Sequence, residues 1–369
     1  MSRRTVARAW RAAGAWMVAW AALLAAGRAG AEPYLAVQEG YQCSVCHVNP
    51  TGGGLRNDFG VLYAKLLLPA NVVDVGLNGW SGHLLEAVRV GGDLRAAWSN
   101  SSAPNTASQE QFALEQFRVY GDVEVIPNRL ALYVDEQVAP NASQNEEAYV
   151  RYGSPTEGPY FKGGQFYLPF GWRLQDQTAF VREVSSISMT TPQQGVEMGY
   201  QHGPWSAQVD LTNVPAAGAA AHAGHQITSQ AVYVQPWWRL GAAVSLTQSD
   251  AGNRRVGGLF AGLRTGPVAW LAELDVVRDE SYPGGRTLGA GLAEADWRLA
   301  KGHNLKLTLE SLDPNRSVAQ DQEARYSLVY EYTPIAFLQL RAGYRRYRGI
   351  PQSSVENQRL TFVELHGYF

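Results

Sequence analysis

Residues 116–136 read QFRVYGDVEVIPNRLALYVDE, with an apolar residue or glycine at every second position on either side of Pro127-Asn128. The first half places Phe117, Val119 and Val123 on one face and polar residues on the other. This two-residue period is typical of β-strands, and Pro-Asn is typical of a turn. The segment therefore predicts a hairpin with one apolar face and one charged face.

The same pattern recurs late in the chain, where residues 325–345 read RYSLVYEYTPIAFLQLRAGYR. Soluble β-sandwiches also alternate. Long segments, short turns that alternate with longer polar loops, and charges of both signs on the polar face favour a transmembrane barrel with its apolar face toward lipid. The last strand, with Thr361, Val363, Leu365 and Gly367 in phase with the terminal Phe369, agrees. We predict an all-β fold, a transmembrane antiparallel β-barrel of about 16 strands over residues 81–369.

The N-terminus predicts export. Arg3, Arg4, Arg8 and Arg11 precede an apolar stretch over residues 12–26, and Ala29-Gly30-Ala31 follows as a cleavage site. We expect residues 1–31 to be a signal peptide. Loss of its five arginines would take the formal charge from −2 to about −7, which argues against nucleic acid as a partner. Abundant Tyr, Trp and Gly fit glycine-punctuated strands with aromatic edges.

Cys43-Ser44-Val45-Cys46-His47 contains both cysteines of the chain and has the C-x-x-C-H spacing of c-type haem attachment. In that chemistry the thiols of Cys43 and Cys46 bind the haem covalently, and His47 is the proximal iron ligand. A disulfide or thioredoxin-like C-x-x-C is an alternative, but that redox motif accompanies a βαβ pattern, which the sequence lacks. A structural zinc site needs four ligands, and no second Cys/His pair follows.

Residues 32–80 differ from the rest of the chain and are predicted to form a haem-bearing plug or periplasmic cap. Gly52-Gly53-Gly54 allows the backbone to pass close to a flat ring, and a short helix is expected near residues 59–68. About fifty residues are few for a self-sufficient core. We therefore expect one covalently attached haem c to be sheltered in the barrel lumen.

The distal iron ligand is open at this stage. His83 is the leading candidate, because it is near the motif in sequence and in phase with Arg89 and Arg95 of the first predicted strand. His366 is the runner-up, since it should point inward on the closing strand. Met189 and Met198 are further candidates and would raise the reduction potential relative to a second histidine. A vacant sixth position is the remaining alternative. His202, His222, His225 and His303 fall in or near predicted turns and loops.

Charged residues on the inward faces are expected to line a wet lumen. Ion selectivity or pairing with haem propionates is the alternative, since an arginine fork suits a carboxylate. The expected lumen residues are Arg89, Arg95, Arg118, Arg129, Arg341, Arg345, Asp93, Asp122, Asp135, Glu273, Asp275 and Glu331.

The run from Cys43 to Gly54, followed by a β-rich chain, resembles bacterial outer-membrane proteins that carry an N-terminal c-type haem motif. Residues 164–171, GQFYLPFG, are similar to strand ends in porins of the phosphate-selective type. The resemblance implies a porin-like barrel with a haem cofactor in the bacterial outer membrane, the haem segment lying on the periplasmic side or in the lumen. It leaves the activity open.

Three functions are compatible with these features. The first is a monohaem c-type cytochrome fused to the barrel, which exchanges electrons with periplasmic or extracellular redox proteins at the outer membrane. One haem cannot bridge a hydrocarbon core of roughly 30 Å. The second is a porin whose haem segment is a structural or gating plug, and the third is a sensor or peroxidase-like site with an open iron position. An enzyme is less expected, because the sequence shows no nucleophile–base or paired-carboxylate arrangement.

Overall fold

The computed structural model describes residues 32–73, 76, 79–214 and 224–369. The predicted signal peptide and His222 lie outside these residues. Seventeen strands form one antiparallel sheet. They are β1 (His83–Leu85), β2 (Val88–Ser102), β3 (Gln109–Ile126), β4 (Leu130–Ala139), β5 (Gln144–Gly153), β6 (Gly158–Phe166), β7 (Gln193–His202), β8 (Trp205–Asn213), β9 (Gly224–Val234), β10 (Trp238–Ser249), β11 (Gly252–Thr265), β12 (Val268–Asp279), β13 (Arg286–Ala300), β14 (His303–Asp313), β15 (Glu323–Ile335), β16 (Leu338–Arg348) and β17 (Arg359–Tyr368).

Strands β2–β17 form a closed barrel of sixteen strands. Each pairs with its neighbours in sequence, and β17 pairs with β2 from Arg359↔Ser102 to Tyr368↔Asp93. Closure leaves no free sheet edge, as a bilayer requires. The predicted barrel of about 16 strands is confirmed.

Strand β1 is an addition to the barrel. It pairs with β2 across a tight turn, with Leu85 opposite Val88 and a register shift before His83. His83 was expected to begin the first barrel strand, but that strand begins at Val88. The turn at Glu86-Ala87 removes His83 from the alternation that Arg89 and Arg95 follow.

The strands alternate between an apolar outer face and a polar inner face. On β12, the side chain of Leu274 is 65% exposed, whereas the neighbouring Glu273 and Asp275 are almost fully buried. The inward residues of β3 and β15, including Arg118 and Arg325, are buried in the same way. Arg129 is the exception among the expected lumen charges, because it lies exposed in the turn before β4.

The two ends of the barrel differ in their connections. Short turns at residues 203–204, 266–267 and 301–302 lie at one end, and longer connections such as 103–108, 314–322 and 349–358 lie at the other. Bacterial outer-membrane barrels have short turns on the periplasmic side and longer loops outside. The first barrel strand begins, and the last strand ends, at the short-turn end.

An N-terminal segment, residues 32–73 (the plug), occupies the short-turn end of the lumen. It contains α1 (Pro33–Glu39), a 3₁₀ turn (Cys43–Val45), α2 (Asp58–Leu62) and a π-helical turn (Tyr63–Leu67). Asn57 caps α2 by accepting the Gly60 N–H at 3.0 Å.

The plug forms hydrogen bonds with two short turns and with the last residues of β15. Gln42 donates to the Gly203 carbonyl at 2.8 Å, Lys301 donates to the Leu66 carbonyl at 2.8 Å, and the Ala70 N–H donates to the Thr333 carbonyl at 2.8 Å. These contacts fix the depth of the plug in the lumen.

The connection between β6 and β7, residues 167–192 (the inserted loop), fills the lumen from the other side. It carries α3 (Phe180–Ser185) and buries Phe170, Trp172, Leu174 and Val181. A further 3₁₀ turn (Val355–Asn357) lies near the last strand. None of the helices in the described ranges is long and apolar enough to cross a bilayer.

Candidate functional site

The C-x-x-C-H segment forms a tight turn inside the plug. The N–H groups of Cys46 and His47 both donate to the Cys43 carbonyl, at 3.2 and 3.1 Å. This 3₁₀ geometry brings the two sulfurs and the imidazole to the wall of one cavity. Ser44 faces away and donates to Gln201 of β7 at 2.8 Å.

Neither Cys43 nor Cys46 forms a disulfide in this structure. Burial, followed by the nearby Cys43, raises the pKa of the Cys46 thiol to about 11. Redox-active C-x-x-C pairs depend on a thiol pKa below the ordinary value. The environment of Cys46 is the opposite of a thioredoxin-like one. No cluster of three or more His, Cys, Asp or Glu side chains suited to a metal ion occurs in the described part of the chain.

The cavity beside the motif has about 1600 Å³ of empty space, counting the part that is open to solvent. The plug, the inserted loop and the barrel wall all contribute to its lining. The lining includes Cys43, Cys46, His47, Arg56, Tyr63, Asp93, Arg95, Tyr120, Trp172, Arg173, Met189, Arg239, Phe260, His366 and Tyr368.

His47 is poised to act as a neutral ligand. Burial, assisted by the positive charges of Arg56 and Arg173, lowers its pKa to about 4. The Nδ1 atom is buried and forms no hydrogen bond with any described residue. Neutral imidazole is the form that binds metals. The side chain therefore fits the proximal role that the motif predicts.

Arg173 of the inserted loop brings unpaired cationic donors to the cavity. One nitrogen, Nη2, donates to Thr51 of the plug and to the Tyr167 carbonyl at 3.2 Å. The buried Nε and Nη1 atoms have no hydrogen-bond partner among the described residues. A guanidinium with free N–H groups is suited to a carboxylate, and a haem carries two propionates. Arg173 therefore brings to the cavity a cation that could pair with such a carboxylate.

The triple glycine brings the plug backbone against the cavity wall. Gly53 and Gly54 have φ values of +77° and +62°, and a Cβ at Gly53 would lie 2.5 Å from the Met189 methyl carbon. A Cβ at Gly54 would lie 2.2 Å from the Tyr133 hydroxyl oxygen. At Gly54 both the positive φ and the approach of the Tyr133 ring require glycine, whereas at Gly53 the requirement comes from the positive φ, because the Met189 methyl group ends a flexible side chain.

The distal candidates fall in different places. Met189 and His366 line the cavity with His47. His83 is absent from the described lining, and its Nε2 is 2.8 Å from Asp58 Oδ1. Met198 is 56% exposed on the outer face of β7. His202 and His303 sit at strand ends, and His225 lies near the start of β9.

Most of the expected lumen charges pair with one another across neighbouring strands. Arg118 lies 3.1 Å from Asp135, Arg341 lies 3.3 Å from Glu331, and Arg89 lies 3.6 Å from Asp122. Internal pairing favours the structural interpretation for these arginines.

Sequence reasoning missed the arginines that line the cavity from outside the strands. Arg56 lies over the Tyr368 ring, 4.5 Å from its centroid, and Arg173 comes from the inserted loop. Neither follows a strand period. Their only sequence signal is proximity to the motif for Arg56, and the aromatic Gly171-Trp172 context for Arg173.

No protein-family model matches the chain, and no curated protein sequence matches it significantly. Solved structures do match its fold. An anion-selective porin from Comamonas acidovorans superimposes with a TM-score of 0.62 at 10% identity, covering 77% of this chain and 99% of the porin.

Two further outer-membrane proteins give similar values. The outer membrane channel DcaP of Acinetobacter baumannii has a TM-score of 0.60 at 11% identity over 76% of this chain and 97% of its own. Outer-membrane expressed OmpT of Vibrio cholerae has a TM-score of 0.57 at 10% identity over 78% and 99%. The chain therefore has the fold of the sixteen-stranded outer-membrane porins.

Proposed function

We propose that this chain is an outer-membrane barrel of the porin type whose plug carries one covalently attached haem c in the lumen, and that this group exchanges electrons with redox proteins. The observation that carries the proposal is a cavity inside the barrel, lined by Cys43, Cys46 and His47. The porin fold supports the barrel and its location. The electron-transfer role rests on the motif and the cavity.

The outer surface supports residence in the outer membrane. Long apolar side chains such as Leu259, Leu274 and Leu309 are exposed at the middle of β11, β12 and β14. A soluble protein rarely exposes so continuous an apolar surface, whereas a lipid-facing barrel requires it.

The filled lumen argues against a wide open pore. Inward charges that an aqueous channel would hydrate, such as Arg118, Asp135 and Arg325, have at most 1% of their surface exposed. The plug closes the short-turn end, and the inserted loop packs against it. We therefore favour a plugged barrel over a constitutively open one.

Each residue of the site has a defined part in this proposal. Cys43 and Cys46 would form the thioether bonds, His47 would bind the iron, and Arg173 would pair with a propionate. The bound group supplies one-electron chemistry. The protein supplies attachment, burial and a cationic surrounding, which set the potential.

The position of the motif indicates which side exchanges electrons. Cys43 lies one residue from Gln42, which bonds to the short turn at Gly203. In the porin orientation this end faces the periplasm. We therefore propose periplasmic redox proteins as the first partners. Passage to the outside would need further carriers, since the hydrocarbon core is roughly 30 Å thick.

The second candidate function is a porin gated by its haem segment. The porin fold of the barrel favours it. A sensor or peroxidase-like role would need an open iron position.

Two measurements on the purified holoprotein discriminate these functions. In planar bilayers a closed electron-transfer barrel shows no single-channel steps, whereas a gated porin shows them and responds to reduction. In proteoliposomes, a reduced soluble c-type cytochrome supplied on the short-turn side should reduce the haem within seconds. Channel steps together with no electron exchange would overturn the electron-transfer role.

A further inference from the structure

We infer that Met189 of the inserted loop is the second protein ligand of the iron, with His47 as the first. This inference rests on the proposed haem site. It adds a ligand from a different structural element, so that the iron would link the plug to the inserted loop inside the barrel.

Met189 lies at the cavity and against the haem segment. Its side chain is 5% exposed and lines the same cavity as Cys43, Cys46 and His47. A Cβ built on Gly53 would lie 2.5 Å from its methyl carbon and 3.5 Å from its sulfur. The thioether is thus packed onto a glycine only six residues after His47.

The backbone of Met189 is held at both polar groups. Its N–H donates to Gln177 Oε1 at 2.8 Å, and its carbonyl accepts from Arg118 Nη2 at 3.0 Å. Arg118 belongs to β3, so the barrel wall itself positions this loop residue. A ligand fixed in advance loses little entropy on binding.

His366, the other candidate at the cavity, already has hydrogen-bond partners at both ring nitrogens. His366 Nδ1 lies 3.1 Å from Gln339 Oε1, and its Nε2 contacts Asp93 and lies 3.0 Å from Arg95 Nη2. Either ring nitrogen would have to leave a buried polar partner in order to bind iron, which costs free energy.

His83 and Met198 are not placed to compete. His83 contacts Asp58 and the Leu85 carbonyl, and Met198 points outward from β7. The Met189 sulfur needs no hydrogen bond. Binding of this sulfur to iron therefore breaks no hydrogen bond.

Thioether ligation has a functional consequence. A Met/His pair raises the reduction potential relative to a bis-histidine site. It also makes a closed six-coordinate iron, which suits electron exchange and excludes small ligands in the resting state.

The test uses detergent-purified holoprotein with covalent haem and compares Met189→Leu and Met189→His with the matched control Met198→Leu. We expect the wild type and Met198→Leu to be low-spin in both redox states, with the long-wavelength charge-transfer band of thioether-ligated ferric haem. Met189→Leu should lose that band, become high-spin and bind carbon monoxide in the ferrous form. Met189→His should stay low-spin, lose the band and have a lower midpoint potential.

The outcomes separate this inference from the proposed function. Absence of covalent haem in the wild type would refute the haem site itself. Covalent haem with a wild-type spectrum in Met189→Leu, or a high-spin wild type, would overturn the assignment of Met189 alone. Met189→His is the control for folding and haem attachment, because its imidazole can replace the thioether as a ligand.

Discussion

Single residues at the contact between the plug and the wall tolerate almost no added volume. Gly54 packs against the Tyr133 hydroxyl, which also accepts the Leu55 N–H at 3.2 Å. One methyl group at this glycine would displace a ring that holds the neighbouring backbone.

Gly54→Ala should therefore destabilise more than Gly158→Ala. Both glycines have positive φ, so each substitution costs roughly 1–2 kcal/mol in the backbone. Gly158 has no described atom within 4 Å of its Cβ position, whereas crowding at Gly54 adds roughly 1–3 kcal/mol. Thermal unfolding in detergent measures the difference. Equal losses of stability in the two variants would contradict the packing of Gly54 against Tyr133.

Arg173 should tune the midpoint potential. A positive charge beside the haem disfavours its oxidised, more positive form, so removal of that charge lowers the potential. Spectroelectrochemical titration of Arg173→Gln should show a lower midpoint, and Arg129→Gln, changed in an exposed turn, should match the wild type. An unchanged midpoint potential in Arg173→Gln would indicate that the guanidinium lies away from the haem.

At the scale of elements, ion pairs with the barrel wall hold the inserted loop in the lumen. Arg182 of α3 contacts Glu273 of β12, and Glu273 also accepts the Trp172 N–H at 3.0 Å. Asp176 lies 2.8 Å from Arg325 and 2.9 Å from Arg345. The loop that carries Met189 and Arg173 is thus anchored independently of the plug.

Glu273→Ala should loosen this loop. It leaves the Arg182 guanidinium buried without its main partner, a change that costs roughly 3–5 kcal/mol in other proteins. Limited proteolysis should cut within residues 167–192 in this variant, but not in Glu280→Ala, where the lost carboxylate is exposed. Resistance equal to the wild type would show that the pair does not hold the loop.

The outer face of β12 provides a test of the membrane-spanning arrangement. Leu274→Arg at mid-strand should lower the free energy of unfolding in bilayers by roughly 2–4 kcal/mol, the cost of a charge at the midplane. Tyr282→Arg, in the loop after β12, should cost less than 1 kcal/mol on the same scale. Similar losses at both positions would argue against burial of Leu274 in lipid.

The strands could be predicted from sequence, because their alternation is local and lipid on one side with a polar lumen on the other enforces it. The inserted loop could not, since residues 167–192 have no period and their burial depends on partners such as Glu273 and Arg325, about 100 residues or more away. His83 was misplaced for a local reason, because the turn at Glu86-Ala87 interrupts the alternation.

Part of the candidate site could likewise be predicted from the sequence, and part could not. Cys43, Cys46 and His47 are recognisable because their chemistry requires adjacent positions in the chain. Met189 is one of several distal candidates in the sequence, and only the fold separates it from Met198 by placing it at the cavity. Arg173 reaches the cavity only through the fold.

At the scale of the whole molecule, the barrel is a closed wall around two inserted segments that meet at one cavity. The plug enters from the short-turn end, and residues 167–192 enter between β6 and β7. Neither segment is large enough for a core of its own. The barrel therefore provides the shelter that so small an N-terminal segment lacks.

The central claim, a haem bound through Cys43 and Cys46 inside an outer-membrane barrel, has one direct test. The chain is expressed with cytochrome-maturation machinery, and the outer-membrane fraction is run on a denaturing gel stained for haem. We predict one stained band in that fraction, which disappears in the variant with Cys43→Ala and Cys46→Ala although the protein itself remains in the membrane. A colourless wild-type band, or stained protein only in the soluble periplasm, would contradict the account.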